Sequence, residues 1–103
     1  MTTIYGLDDP RDGRLRYVGR TGQPLGQRLA GHLLFAAKYR SRAPLQRWLR
    51  ELLGQGLAPT LRPLLVVSDA LADEAERGAI ASYPDLLNVT HNLAALAGGA
   101  VPR

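Results

Sequence analysis

The sequence predicts an α+β domain in which a small three-stranded antiparallel sheet is flanked by helices, in the order β-β-α-α-β-α. Two short segments near the N-terminus have strand character and are separated by turn residues, which indicates a hairpin. Three later segments repeat apolar residues at helical spacing. A short apolar run lies between the second and the third of these segments, and it supplies the third strand.

The first two strands form the predicted hairpin. Strand-forming residues occupy positions 2–8, and residues 15–18 alternate apolar and polar side chains. The segment between them is dense in Asp, Pro and Gly, so a loop longer than a tight turn joins the strands. This pairing places Tyr5 and Tyr17 on neighbouring strands.

Two helices are predicted next. A loop over residues 19–24 precedes the first of them, and either Thr21 or Gln23 is a candidate N-cap. The first helix extends to about Lys38, with leucines recurring along one stripe. The second covers residues 44–53, where apolar side chains recur at i, i+3, i+4, i+7 and i+8 and define a core face.

The third strand and the third helix complete the predicted sheet and its cover. Residues 61–67 are apolar enough for a buried strand, in which Pro63 indicates an edge position or a bulge. Ser68 or Asp69 is then the expected cap of a helix that continues to about Ser82.

The chain of 103 residues suits one domain with one modest core. We expect this domain to span residues 1–92, ending after a short extended segment over 86–89, with a flexible tail over 93–103. The sequence shows no membrane-spanning run and no secretory pattern, and it has no cysteine for disulfides or thiolate-bound metals. We therefore expect a cytoplasmic protein with no membrane partner.

The charge balance is compatible with nucleic acid as a partner. The net charge is +4, carried by 12 Arg and a single Lys against 9 acidic residues. An Arg-rich composition with abundant Ala and Leu is also typical of a GC-rich genome, so charge alone does not assign a partner. The basic residues expected to contact phosphates are Arg20, Lys38, Arg40, Arg42 and Arg47.

Two tyrosine motifs and an Arg–His pair are predicted to converge on one polar site. The motifs are Thr3-Ile4-Tyr5 and Tyr17-Val18-Gly19, one on each strand of the hairpin. Arg28 and His32 are four residues apart, at the edge of the apolar stripe of the first helix, where side chains point toward the boundary of the sheet. A cation beside phenols and an imidazole suits an anionic substrate such as a phosphodiester. Each residue alone also has an ordinary structural explanation.

A carboxylate on the third helix is the next candidate. Glu76 falls on the apolar face of that helix, where its charge is costly unless it is paired or bound to a metal. The structural alternative is a boundary residue that reaches water or pairs with an Arg. The sequence lacks a phosphate-binding loop with Lys-Ser/Thr, a histidine pattern for zinc, and a serine nucleophile elbow.

Together these residues resemble the GIY-YIG nuclease superfamily. The two tyrosine motifs correspond to the GIY and YIG elements, with Thr3 in place of the first Gly, and Arg28 and His32 match the family's Arg-x-x-x-His helix. Glu76 with the four residues after it looks like the family's Glu helix, and Leu86-Leu87-Asn88 looks like its terminal Asn motif. The likeness covers roughly residues 3–92.

The resemblance implies a three-stranded antiparallel sheet flanked by helices. It also implies a metal-dependent endonuclease that hydrolyses nucleic-acid phosphodiester bonds, with DNA as the expected substrate and one Mg²⁺ or Mn²⁺ ion held by Glu76. Two alternatives remain open at this point. One is a nucleic-acid binding domain without cleavage activity, and the other is an interaction domain in which the same residues form a structural polar network.

The resemblance also implies a role for each residue of the site. Arg28 would offset charge on the phosphate in the transition state, and Asn88 would orient a phosphate or a water. Tyr5 would position or deprotonate the attacking water, with Tyr17 and His32 in its hydrogen-bond network. Tyr5 is the preferred general base, on the expectation that Arg28 and the metal lower its pKa, and His32 is the rival.

Overall fold

The computed structural model describes residues 1–83 and 85–88. It confirms the predicted class and element order, with a three-stranded antiparallel sheet and three α-helices over this part of the chain. The elements are β1 (Thr2–Asp8), β2 (Leu15–Thr21), α1 (Leu25–Lys38), α2 (Pro44–Gly54), β3 (Thr60–Val67) and α3 (Ala72–Ala81). The predicted end of the domain and the predicted tail lie outside the described residues. None of the described helices is long and apolar enough to cross a bilayer.

Strand β1 lies at the centre of the sheet, between β2 and β3, and is antiparallel to both. Because side chains alternate along a strand, its residues serve two separate cores. Tyr5 and Leu7 pack with α1 and α2, whereas Ile4 packs with Val18 of β2 and Ile80 of α3. Helices therefore cover both faces of the sheet, and the tyrosine of the first motif points into the α1–α2 layer.

Strand β3 forms an edge of the sheet. Its register with β1 shifts between Ile4, which pairs with Leu65, and Tyr5, which pairs with Pro63. The prediction of an edge position or a bulge at Pro63 is confirmed, and a ladder donor is not needed there. The prediction of a buried strand is wrong, because every residue of β3 is half-buried or exposed, with Val66 55% exposed.

The predicted helix caps are also wrong. Helix α1 begins after Pro24 without a side-chain cap, and Thr21 still belongs to β2, where its hydroxyl accepts a hydrogen bond from Gln23 N at 2.9 Å. A 3₁₀ turn over Asp69–Leu71 precedes α3. The Asp69 carboxylate accepts a hydrogen bond from the first residue of β1 at 2.7 Å instead of capping a helix.

A buried carboxylate fastens the hairpin loop to α2. Asp9 is 3% exposed and accepts hydrogen bonds from Trp48 Nε1 at 3.0 Å and from the Arg11 guanidinium at 2.8 and 2.9 Å. Arg11 also pairs with Glu51 of α2 at 2.6 Å. Hydrogen bonds from Arg11 and Trp48 hold the pKa of Asp9 well below its usual range. This network fixes the α2 layer relative to the end of β1.

Helix α2 presents most of its predicted face to the core. Its buried residues are Leu45, Trp48, Leu49 and Leu52. Leu53, which was also expected in the core, is 36% exposed because it lies at the margin of this face. The chain leaves the helix through Gly56, whose φ of 73° is a conformation that glycine adopts without strain.

Candidate active site

Tyr5, Arg28 and His32 meet as the sequence predicts. Tyr5 is fully buried on the central strand, and its hydroxyl lies 2.6 Å from His32 Nε2. Arg28 Nε donates a hydrogen bond to the same hydroxyl at 3.2 Å. The four-residue separation on α1 puts Arg28 and His32 on one face of the helix, within hydrogen-bond reach of Tyr5 on β1. One phenol oxygen therefore joins a cation to an imidazole.

Strand β2 brings the second tyrosine motif against this cluster. Tyr5 is paired with Gly19 across the hairpin, and a Cβ at Gly19 would lie 2.5 Å from Tyr5 Oη. Glycine is required here so that the hydroxyl can approach the strand. The Tyr17 ring lies 6.5 Å from the Tyr5 ring and meets the His32 ring edge to face at 5.7 Å, measured between centroids.

The hydrogen bonds assign the protons of the cluster. A buried phenol hydrogen needs an acceptor, and His32 Nε2 is the acceptor that the described contacts of Tyr5 provide. Tyr5 thus donates to His32 Nε2 and accepts from Arg28 Nε. A neutral His32 that accepts at Nε2 carries its own hydrogen on Nδ1.

Burial is the largest influence on the pKa values of His32, Tyr17 and Tyr5. Desolvation, reinforced by the positive charge of Arg28, lowers the pKa of His32 to about 4, so its imidazole is neutral at pH 7. Burial raises the pKa of Tyr17 to about 12. It also raises the pKa of Tyr5, although the hydrogen bond and charge of Arg28 act in the opposite direction. Arg28 thus acts on the pKa of Tyr5 in the expected direction, but in the protein alone desolvation outweighs it and the net pKa is raised.

Glu76 lies near the phenols and is paired. Its side chain is 14% exposed, and its carboxylate lies 3.5 Å from Arg20 Nε, while Arg20 also approaches Asp73 at 3.7 Å. The negative charge of Glu76 contributes to the raised pKa of both Tyr5 and Tyr17, which places it within electrostatic range of the cluster. The predicted structural alternative, pairing with an Arg, is thus present in the structure.

A single carboxylate is a sparse but suitable donor for magnesium. Among residues 1–83 and 85–88, no three His, Asp or Glu side chains are grouped to hold a metal. Mg²⁺ is commonly bound through one or two carboxylates, with waters and substrate phosphates completing its shell. The hard oxygens of Glu76 fit that mode of binding.

The side chain of Asn88 is buried against the backbone of β2. Its amide oxygen accepts a hydrogen bond from Val18 N at 3.0 Å, and its amide nitrogen donates to Val18 O at 2.6 Å. Leu87 N donates to Arg16 O at 2.7 Å beside it. The side chain therefore bonds to the backbone of β2 in the way a further strand would. In the free protein the amide of Asn88 is thus engaged with the strand that carries Tyr17, and the phosphate- or water-orienting role stays a prediction.

A pocket of about 340 Å³ opens beside the cluster, between α1 and the start of α2. Its lining includes Tyr17, Arg28, His32, Phe35, Leu45 and Gln46. Phe35 and Gln46 were not singled out from the sequence. Phe35 follows His32 by three residues, so helical spacing could have placed it there, whereas Gln46 sits among core residues of α2 and carries no sequence signal.

The predicted basic residues divide into two groups. Lys38, Arg40, Arg42 and Arg47 are exposed at or near the connection between α1 and α2, and none forms an ion pair within the part of the chain that the structure describes. The charge of Arg20, by contrast, is partly offset by the two carboxylates beside it. The free cations thus border the helices that line the pocket.

Comparison of the chain with protein-family models, with curated proteins and with solved structures gives no match.

Proposed function

We propose that this protein is a metal-dependent endonuclease that hydrolyses phosphodiester bonds of nucleic acid, with DNA as the expected substrate. The observation that carries this proposal is the contact of Arg28 and His32 with Tyr5, over 23 and 27 residues of sequence. These residues belong to two of the motifs through which the chain resembles the GIY-YIG superfamily. A cation, a neutral imidazole and a phenol held together beside an open pocket suit attack by water on a phosphate.

Arg28 is the phosphate-binding group in this proposal. Its side chain lines the pocket and is held by Tyr5 through Nε. The guanidinium can therefore offer its remaining N–H groups to two phosphate oxygens. Charge on those oxygens grows in the transition state, so the contact accelerates the reaction as well as binding substrate. Tyr17, protonated at neutral pH, adds a further donor to the same pocket.

The Tyr5–His32 pair accepts the proton of the attacking water. Tyr5 Oη takes that proton while its own hydrogen passes to His32 Nε2, which is neutral and already in hydrogen-bond contact. The water oxygen bonds to phosphorus, the bond from phosphorus to the leaving oxygen breaks, and the leaving oxygen is protonated by solvent. Because Tyr5 is buried in the free protein, this transfer requires that substrate binding give the attacking water access to Tyr5 Oη.

Glu76 would hold the divalent cation. When bound, Mg²⁺ or Mn²⁺ would polarise the phosphate and stabilise charge on the leaving oxygen. Arg20 pairs with the Glu76 carboxylate in the free protein, so it helps to orient this partly buried side chain.

The exposed cations of the α1–α2 connection would follow the phosphate backbone. If Arg40 and Arg42 neutralise phosphates, log affinity should fall with log salt, by about 0.9 for each phosphate neutralised on duplex DNA. A domain of this size offers few such contacts, so we expect weak binding with slight sequence preference.

A plasmid-nicking assay tests the proposal. The wild type should nick plasmid with Mg²⁺ and stop in excess EDTA. Arg28→Ala should lower kcat on the order of a hundredfold, and Arg28→Lys should restore part of it. Gln27→Ala, an exposed neighbour on α1, serves as the matched control. Binding without cleavage would support the inactive-binding alternative, and neither binding nor cleavage would support the structural network.

A further inference from the structure

The pocket beside the cluster has more apolar and aromatic wall than a phosphate needs. Arg28 suffices for an anion, yet the pocket extends past it to Phe35 and Leu45. Its volume of about 340 Å³ is in the range of small-molecule sites. Something flat and largely apolar, attached to the phosphate, would fill that part.

Aromatic rings provide flat walls for such a group. Tyr17 of β2 and His32 and Phe35 of α1 all line the pocket. Phe35 is 46% exposed, and its ring lies 4.7 Å from the ring of Tyr39, which is 48% exposed. Two exposed aromatic side chains in contact form a platform on which a nucleobase can stack.

Gln46 adds a polar group with no partner. Its Oε1 is buried and has no hydrogen-bond partner among the described residues, although the residue lines the pocket. A buried amide oxygen without a partner is unusual and costs free energy. Rotation of the amide toward a ligand in the pocket would supply the missing bond. A Gln amide carries both a donor and an acceptor, which matches the edge of a base.

We propose that this pocket binds one nucleobase of the substrate next to the scissile phosphate, with Phe35 stacking on its face and Gln46 hydrogen bonding to its edge. The inference rests on the proposed nuclease function, since Arg28 lines the same pocket and would hold the adjoining phosphate. A base within a duplex has both faces covered by its neighbours. The bound nucleotide is therefore unstacked, as in a single strand, a flap or a flipped position.

The test measures binding in EDTA, where cleavage does not interfere. Fluorescence anisotropy would compare a labelled single-stranded 12-mer with a strand of equal charge in which abasic spacers replace the central nucleotides. We expect the abasic strand to bind the wild type on the order of tenfold more weakly. Phe35→Ala should bind the natural strand as weakly as it binds the abasic strand. Its affinity for the abasic strand should equal that of the wild type. Leu34→Ala, an exposed apolar neighbour outside the pocket, should behave as wild type.

Gln46→Leu gives a second, independent readout. We expect the wild type to bind strands of deoxyadenosine, deoxycytidine and thymidine with different affinities. Gln46→Leu keeps the size of the side chain and should remove these differences. Equal binding of natural and abasic strands, equal losses on both strands in Phe35→Ala, or no measurable binding of either strand would overturn the inference. Mg²⁺-dependent cleavage combined with any of these results would leave the proposed nuclease standing. Base-dependent binding without cleavage would leave the base-binding inference standing and contradict the proposed nuclease function.

Discussion

The hydroxyl of Tyr5 packs directly against the backbone of Gly19 on the neighbouring strand, so closely that a Cβ on Gly19 would lie 2.5 Å from Tyr5 Oη. The two residues are direct partners in the β1–β2 ladder. The second motif therefore requires a residue without a side chain at this position. The glycine leaves room for the phenol of the first motif to reach Arg28 and His32.

Gly19→Ala should displace the Tyr5 ring and break its hydrogen bond to His32. We expect kcat for cleavage to fall at least tenfold and the melting temperature to drop, because the new methyl group collides with a buried ring. Gly22→Ala is the matched control, since a Cβ there meets nothing within 4 Å. Wild-type kcat and stability in Gly19→Ala would show that the close approach has no functional consequence.

Tyr5 and His32 should behave as one unit in catalysis. Tyr5→Phe removes the hydroxyl that relays the proton, and His32→Ala removes the nitrogen that receives it. Each change should lower the single-turnover rate strongly, and the double variant should be little slower than either single variant. Losses that multiply would mean that the residues act separately, and a near-normal rate in Tyr5→Phe would leave His32 as the base.

The stability of the protein should depend on pH through His32. Its folded-state pKa of about 4 lies below the ordinary value of 6.5, so the native protein binds fewer protons than the unfolded chain between these values. Neutral burial of His32 therefore contributes full stability above pH 6.5, and this contribution is lost as pH falls toward about 4. The amount is at most about 3 kcal/mol.

Urea unfolding of the wild type and His32→Gln from pH 7 to pH 4 measures this contribution. Carboxylates such as Asp9 also lose stabilisation in acid, so the difference between the two proteins is the relevant quantity. We expect the difference to shrink as pH falls. A constant difference over the whole range would show that His32 does not titrate with a lowered pKa.

Asn88→Ala should destabilise the fold more than it affects the chemistry. The change leaves the buried N–H and C=O of Val18 without partners. Each unpaired group lowers the free energy of unfolding by about 1–3 kcal/mol. We expect a clear drop in melting temperature and, well below that temperature, a small change in kcat. A large loss of kcat at unchanged stability would instead favour the phosphate-orienting role that the resemblance implies.

Local patterns were enough to predict the core of this site. Period-two and helical spacing place Tyr5 on a strand and Arg28 with His32 on one helix face, and the order of the elements brings those faces together. Register across the hairpin then aligns Tyr5 with Gly19. These features depend on neighbours within a few residues or on one simple pairing.

The features of the site that the sequence did not predict depend on long-range contacts. Asn88 bonds to Val18 across 70 residues, and no pattern near either residue indicates the partner. Burial raises the pKa of Tyr5 more than Arg28 lowers it. The sequence shows Arg28 but not the depth of this burial. The unpartnered amide of Gln46 arises only where α2 meets α1.

Metal-dependent cleavage at this cluster is tested by the single-turnover nicking rate of Glu76→Gln with Mg²⁺. Glu74→Gln, which removes an exposed carboxylate from the same helix, is its control. We expect the wild type and Glu74→Gln to nick plasmid alike, whereas Glu76→Gln should be at least about a hundredfold slower with an unchanged fold by circular dichroism. Nicking by Glu76→Gln at the wild-type rate, or no nicking by purified wild type with Mg²⁺ or Mn²⁺, would contradict metal-dependent cleavage at this cluster.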